Sequence, residues 1–312
     1  MSGADEFTEI ARLFRPLTGG AIGAFDLLDD AAIVPQRPGF DLVVTKDAIV
    51  EGVHFPVGEH PGLVARKLVR VNLSDLAAKA AEPFACFLAV AWPKAFGPAE
   101  REAFASGLGE DLRTFGVGLL GGDTVSTPGP FTASLTALGW VPQGGMVRRA
   151  GARVGDVVAV SGTIGDGALG LLATQGEVED PAGWLAERYR LPSPRLDLRD
   201  VLRGAASAAA DVSDGLIADA GHIAAASGVR LSLDLDRLPV SAAAAAWLAT
   251  QPHQSQALAQ LATGGDDYEV VGTFRETPPG FTQIGRVCAG AGIEVSVGGS
   301  PVEIGRRGWR HI

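Results

Sequence analysis

The chain has 312 residues, 46% hydrophobic and 20% charged, enough apolar surface for a large core and too much for a disordered polymer. The length suits two ordinary domains or one large α/β domain. A formal net charge of −10 argues against a nucleic-acid scaffold, and with lysine only at positions 46, 67, 79 and 94, any phosphate group must be met by arginine or by bound cations.

Cys86 and Cys288 have no CxxC or metal-ligand spacing and read as reduced thiols. The acidic stretch at residues 1–7 lacks the apolar core of a signal peptide, and no apolar run is long enough to cross a bilayer. The expectation is a soluble, cytoplasmic protein.

Phe7, Ile10, Ala11 and Phe14 share one face of a short amphipathic helix. The adjacent carboxylates Asp29 and Asp30 then sit between apolar residues, where they repel each other unless solvated or bridged by a cation. Residues 42–45 read as a buried strand that delivers Lys46 and Asp47 at its end, followed by a loop in which His54 stands beside Phe55. A helix over residues 61–81 places Asn72 and Asp75 on one face; an ion pair from Asp75 to Lys79 is the plainer alternative. Strand 84–92 and helix 98–115 lead to strand 117–120, which is expected to stop at Gly121-Gly122 and leave Asp123 exposed at its end. By itself an Asp after glycine is a turn residue or a helix cap. Residues 132–141 alternate loosely and end in Pro142-Gln143-Gly144-Gly145, the best domain boundary, which divides 1–145 from 146–312.

Beyond it, strand 157–160 runs into a formal GxGxxG at Gly165, Gly167 and Gly170. A Rossmann site would need a strand ending in Asp or Glu about 20 residues later. Residues 184–190 read as helix instead, so a glycine loop packed on its helix and lying near phosphate is the better reading. Asp211-Val212-Ser213-Asp214-Gly215 opens a helix over 216–227, with more acid than capping requires. Gly264-Gly265-Asp266-Asp267-Tyr268-Glu269 leads into strand 270–274, and Trp309 lies near the end. Oxygen-only ligands suit Mg²⁺ shared with phosphates; zinc, a P-loop, a protein kinase and a GxSxG hydrolase all lack their signatures.

Together these motifs resemble the thiamine-monophosphate kinase family, within the superfamily that includes aminoimidazole ribonucleotide synthetase. The matching stretches are Asp29-Asp30-Ala31-Ala32, Thr45-Lys46-Asp47 through His54-Phe55, Val71-Asn72-Leu73-Ser74-Asp75-Leu76, Gly121-Gly122-Asp123-Thr124, Arg149-Ala150-Gly151, Asp211 to Leu216 and Gly264 to Glu269. The resemblance implies a two-domain α/β (α+β) fold with mixed sheets packed against helices. It implies a metal- and ATP-binding first domain whose sheet dimerises, and a second domain that completes the active site. The implied reaction is ATP- and Mg²⁺-dependent phosphorylation of thiamine monophosphate to thiamine diphosphate, by a homodimer without nucleic-acid or membrane partners. By position it implies Mg²⁺ ligands at Asp30, Thr45, Lys46, Asp47, Asp75, Asp123, Asp211 and Asp214. ATP contacts fall at Gly122, Asp123, Arg149 and Ser213, and the substrate site at His54, Asp266 and Trp309. Asp123, Arg149 and Asp214 would act in catalysis. Leu28 replaces the family's glycine, Lys46 stands where Thr is common, and Asp266 where Glu is frequent. A selenophosphate synthetase or a carbamoyl-dehydrating maturation enzyme is the rival within the superfamily, but each relies on a terminal cysteine or selenocysteine not seen here.

Overall fold

The computed structural model describes residues 6–305 and 307–309. Its first residues form one α-turn, α1 (Glu6–Glu9), which passes into a π-helical turn over Ile10–Phe14. The expected apolar stripe is therefore broken: Leu13 and Phe14 are buried while Phe7 is exposed. A π turn closes one residue later than an α turn and so rotates the apolar face.

The chain divides into two compact units, the residues up to Leu76 with Ala81–Gly144, and Ala77–Ala80 with the residues from Gly145 onward. In the first unit come β1 (Phe40–Val50), α2 (Pro61–Ala78), β2 (Glu82–Pro93), α3 (Pro98–Phe115), β3 (Gly118–Thr127) and β4 (Thr132–Pro142). They build a four-stranded sheet in the order β1-β4-β2-β3. β4 is antiparallel to both its neighbours, whereas β2 and β3 are parallel, which the α3 crossover makes possible. α3 is well punctuated: Pro98 sits at its start, the Gly97 amide donates to Glu100 Oε2 at 2.8 Å, and Gly116 closes it with a φ of 67°. Alternate residues of β1 take opposite faces, so Val43 and Ile49 are buried while Leu42 and Val44 are exposed. Trp92 anchors the core, stacked on Phe131 at 5.6 Å and meeting Phe104 edge-on at 5.3 Å.

The second unit contains β5 (Val157–Ser161), α4 (Asp166–Thr174), α5 (Trp184–Arg190), α6 (Arg199–Ala205), β6 (Ala206–Asp211), α7 (Leu216–Ser227) and β7 (Arg230–Asp234). α8 (Ala242–Ala249), α9 (Gln254–Thr263), β8 (Val270–Phe274), β9 (Phe281–Cys288), β10 (Gly292–Val297) and β11 (Ser300–Pro301) complete it. Its seven-stranded sheet runs β11-β10-β7-β9-β5-β8-β6, antiparallel except where β10 meets β7. Both faces of the central strands are buried: Val158 and Val160 pack with Leu216, Ile217 and Ile223, while Val157 and Ala159 pack with Leu202, Phe274 and Ala78. Lys79 stands between Ala78 and Ala80 of this second cluster, and its ammonium donates to the Ala209 carbonyl at 2.8 Å.

Candidate functional site

In the first unit, Gly121 to Thr124 do not end a strand. β3 continues through them to Thr127, because parallel pairing with β2 carries on from Phe87↔Gly121 to Pro93↔Thr127. The register slips between Cys86 and Phe87, and beyond the slip the two backbones approach closely. A Cβ on Gly122 would overlap the Leu88 carbonyl, so glycine is required here by the neighbouring strand. Asp123 stays exposed, on the edge strand of the sheet.

A cleft of about 480 Å³ opens along this edge. Asp29, Asp30, Gly121, Gly122, Asp123 and Thr124 line one part of it, and Phe7, Ile10, Phe14, Leu27 and Phe87 give it an apolar wall. The aspartate pair and the glycine motif, about ninety residues apart in sequence, thus share one cavity. The segment that leads to the pair is strained: Phe25, Asp26 and Leu27 all have positive φ, at 47°, 54° and 55°. Non-glycine residues hold such angles only where surrounding structure imposes them.

Thr45, Asp47 and Asp75 form a second group, with Thr45 and Asp47 in the middle of β1 and not at its end. The Thr45 hydroxyl donates to the Asp75 carboxylate, and the Asp47 amide donates to Asn72 Oδ1 at 3.1 Å. Asp75 is thereby engaged by β1, while the Lys79 ammonium is bonded to Ala209. Lys46 has the opposite orientation. Its ammonium reaches Thr136 Oγ1 at 3.4 Å, in the row of directly paired residues Lys46, Thr136, Phe87 and Gly121. The next row on that face is Ala48, Ser134, Ala89 and Asp123, so Asp123 shares the face of Lys46 and not that of Thr45 and Asp47. In the turn after β1, His54 Nδ1 accepts the Val50 amide at 3.1 Å, which makes Nε2 the protonated nitrogen of the neutral ring.

The second unit gathers its acids around the start of α7. Asp211 is buried at the end of β6, and Ser213 and Asp214 are half-buried in the turn that follows. Asp219, one turn into α7, is buried and accepts the amides of Ser213, Asp214 and Gly215 at 3.0, 3.1 and 3.2 Å. Burial pushes its carboxyl up to about 7, helped by the neighbouring Asp214 carboxylate and opposed by the amides and the Arg149 guanidinium. Arg149 is exposed, and its carbonyl accepts the Ser227 hydroxyl at 3.2 Å. Among the described residues, Asp214, Asp219 and His222 bring potential metal-ligand atoms within 4.8 Å of one another. The sequence reading did not single out Asp219 or His222; their signal was the spacing of three along a helix face that starts beside Asp214. The Trp309 amide donates to the Asp214 carbonyl at 3.0 Å, which ties its main chain to that turn, and its side chain is half-exposed.

The loop before β8 packs on the same turn. Amides of Asp266 and Tyr268 donate to the carbonyls of Ser213 and Val212 at 2.9 and 2.8 Å, and the Tyr268 hydroxyl donates to Asp266 Oδ1 at 3.1 Å. The glycine loop at the start of α4 is closely packed, as the sequence reading expects. Asp267 is fully buried there and accepts the Gly165 amide at 2.9 Å and the Gly167 amide at 3.0 Å, so the helix terminus is already occupied by a carboxyl group from within the chain. Burial pushes the Asp267 carboxyl up to about 8 even though these amides favour its charged form. Packing explains the glycines: a Cβ on Gly165 would lie 2.6 Å from Leu261, and one on Gly170 would lie 2.6 Å from the Tyr189 Cβ. Glu269, also buried, accepts Ser161 at 2.6 Å and pairs with Arg188 at 3.2 Å and Arg195 at 2.8 Å.

The family described as AIR synthase related protein, N-terminal domain, matches residues 28–141, and its C-terminal domain counterpart matches residues 153–298. A thiamine-monophosphate kinase from Caulobacter vibrioides is 55% identical over 98% of this chain and 90% of the relative. The chain belongs to the thiamine-monophosphate kinase family. The crystal structure of the Stenotrophomonas maltophilia K279a thiamine-monophosphate kinase is 38% identical, with a TM-score of 0.82 over 96% of this chain and 98% of that one. AaThiL complexed with AMPPCP and TMP is 31% identical, with a TM-score of 0.79 over 94% and 98% of the two chains. Thiamine-monophosphate kinases thus match this chain along nearly its whole length, including both acid-bearing regions.

Proposed function

We propose that the protein transfers the γ-phosphoryl group of ATP to thiamine monophosphate, giving thiamine diphosphate and ADP. The observation that carries this reading is full-length likeness to thiamine-monophosphate kinases, one of them in complex with AMPPCP and TMP. The acceptor is a phosphate oxygen, already anionic near neutral pH, so no general base is required. The obstacle is repulsion between two polyanions, and catalysis is mainly positioning and charge neutralisation.

The donor set fits Mg²⁺. It consists of carboxylate and hydroxyl oxygens without thiolates, and the Asp29–Asp30 pair and the half-buried Asp214 beside Asp219 carry negative charge that a cation would relieve. We assign Mg²⁺ contacts to Asp30, Thr45, Asp47, Asp75 and Asp123 in the first unit and to Asp211 and Asp214 in the second. Lys46 contributes no side-chain ligand in this reading, since its ammonium is a cation turned to Thr136. Bound Mg²⁺ would neutralise phosphate oxygens and orient the transferring group. Gly122 leaves the edge of β3 open to phosphate, Arg149 supplies the cation that lysine elsewhere does not, and Ser213 offers a hydroxyl. His54, Asp266 and Trp309 are assigned to thiamine monophosphate; a Trp face against a cationic thiazolium contributes about 0.5–2 kcal/mol.

We assign dimerisation to the open face of the β1-β4-β2-β3 sheet, where Leu42, Val44 and Val125 are 37%, 56% and 50% exposed. The two free thiols and the need for ATP support a cytoplasmic setting. No helix among the described residues is long and apolar enough to cross a membrane. Incubation with ATP, Mg²⁺ and thiamine monophosphate, with products separated by chromatography, tests the reading. Equal amounts of ADP and thiamine diphosphate are expected. Release of free phosphate without thiamine diphosphate, or preference for another acceptor, refutes it.

A further inference from the structure

We propose that Asp219 is the positioning residue of the second unit's binding loops: its single carboxylate fixes the main chain of residues 213–215 and, through it, the segments that carry Asp266 and Trp309. The inference rests on the kinase reading above.

Three successive amides converge on Oδ2 of Asp219, those of Ser213 at 3.0 Å, Asp214 at 3.1 Å and Gly215 at 3.2 Å. Consecutive N–H groups of this kind form a concavity that suits an oxygen acceptor, and here the acceptor is supplied by the next turn of the chain. The carbonyls of the same run serve other segments. Val212 accepts the Tyr268 amide at 2.8 Å, Ser213 that of Asp266 at 2.9 Å, and Asp214 that of Trp309 at 3.0 Å. The main chain of residues 212–215 is therefore a hub, with donors gathered by Asp219 and acceptors that hold two segments distant in sequence.

The hub is closely packed. A Cβ on Gly215, whose φ is 123°, would lie 2.7 Å from the Thr263 carbonyl oxygen, and one on Gly308 would lie 2.6 Å from that of Asp214. Asp266 and Tyr268 are themselves held at φ of 67° and 52°, angles that a side-chain-bearing residue keeps only when its partners impose them. A mere helix cap would steady α7 and leave the kinetics of the folded enzyme untouched. A positioning residue alters Ser213, Asp214, Asp266 and Trp309 together.

The test uses the full chain, with melting curves to measure the folded fraction. Asp219→Asn keeps an oxygen acceptor without the charge, and Asp219→Ala removes both. Loss of a group that orients ligands costs about 10- to 100-fold. That loss is expected in kcat of Asp219→Asn, with a raised KM for thiamine monophosphate and a larger loss in Asp219→Ala. Combined with Trp309→Ala, Asp219→Asn should cost less than the product of the two single effects, because both act on one loop. Folded variants that lose melting temperature but keep wild-type kcat and KM would overturn the proposal, as would independent effects in the cycle. Should the variants not fold, hydrogen exchange on the wild type decides: the amides of residues 213–215, 266, 268 and 309 should be released together. A Trp309 or Asp266 amide that exchanges independently of residues 213–215 refutes the proposal. Wild-type turnover is measured first; its absence would refute the kinase reading and leave the exchange experiment to decide on Asp219.

Discussion

Gly122→Ala isolates the packing of β2 against β3. A Cβ at this position would lie 2.9 Å from the Leu88 carbonyl carbon and 3.1 Å from its nitrogen, with the carbonyl oxygen closer still. These are backbone atoms of a central strand flanked by β4 and β3, so no side chain can rotate out of the way. Relief requires the edge strand to move outward. Overpacking of this kind costs about 1–3 kcal/mol, and each weakened ladder hydrogen bond adds about 1 kcal/mol. A total of about 3 kcal/mol corresponds to roughly 9 °C in the melting of a unit of this size. Differential scanning calorimetry would resolve it as a shift of one transition. The control is Gly221→Ala, within α7, where the nearest neighbour of a new Cβ is Ile293 Cδ1 at 3.9 Å, an ordinary contact. That change should stabilise by about 0.5–1 kcal/mol through helix propensity. Gly122→Ala melting within about 2 °C of wild type would refute the close approach of the two strands.

Asp123 is exposed on the same strand, so Asp123→Ala should leave the melting temperature nearly unchanged while kcat falls by about 10²–10³-fold, measured at saturating Mg²⁺. The Asp267 carboxyl titrates near 8 in the folded protein against a starting value of 3.8. Folding therefore favours its protonated form, whose stabilisation is full below the lower value and lost as pH rises through the higher one. Unfolding free energy should fall by up to about 1.4 kcal/mol per pH unit across that window, and Asp267→Asn, neutral throughout, should flatten the slope in urea titrations. Burial pushes the Cys86 thiol up to about 12, so a thiol reagent at neutral pH should label the half-buried Cys288 in the native protein and reach Cys86 only on unfolding, as read by mass spectrometry. Val44→Lys, on the open sheet face, should shift a dimer toward monomer in sedimentation velocity.

The acids were legible in the sequence because each follows an apolar run and keeps characteristic company, as in Asp211-Val212-Ser213-Asp214-Gly215. Their environments were less so. Residues 121–127 resemble a loop in composition, and only pairing with β2, which lies some thirty residues away, makes them a strand. Lys46 and Thr45 are adjacent in the motif but point to opposite faces, which follows from strand periodicity once β1 is known to run through to Val50. The GxGxxG pattern concealed its cause because its partners, Leu261, Asp267 and Tyr189, lie between about twenty and a hundred residues further on. Asp219 belongs to no sequence motif; its role depends on three amides brought round by a glycine at φ 123°. The π turn at Ile10–Phe14 has no periodic signature that separates it from an α-helix over so few residues.

Asp267 also bears on how the protein coexists with the solutes around it. Inorganic phosphate, sulfate and stray nucleotides compete for any helix terminus that offers unbonded amides. At the start of α4 the occupant is tethered by the chain itself and has no off-rate into solvent short of local unfolding. This glycine loop is thus insulated from buffer and metabolite anions, and an anion soaked into the protein should bypass it.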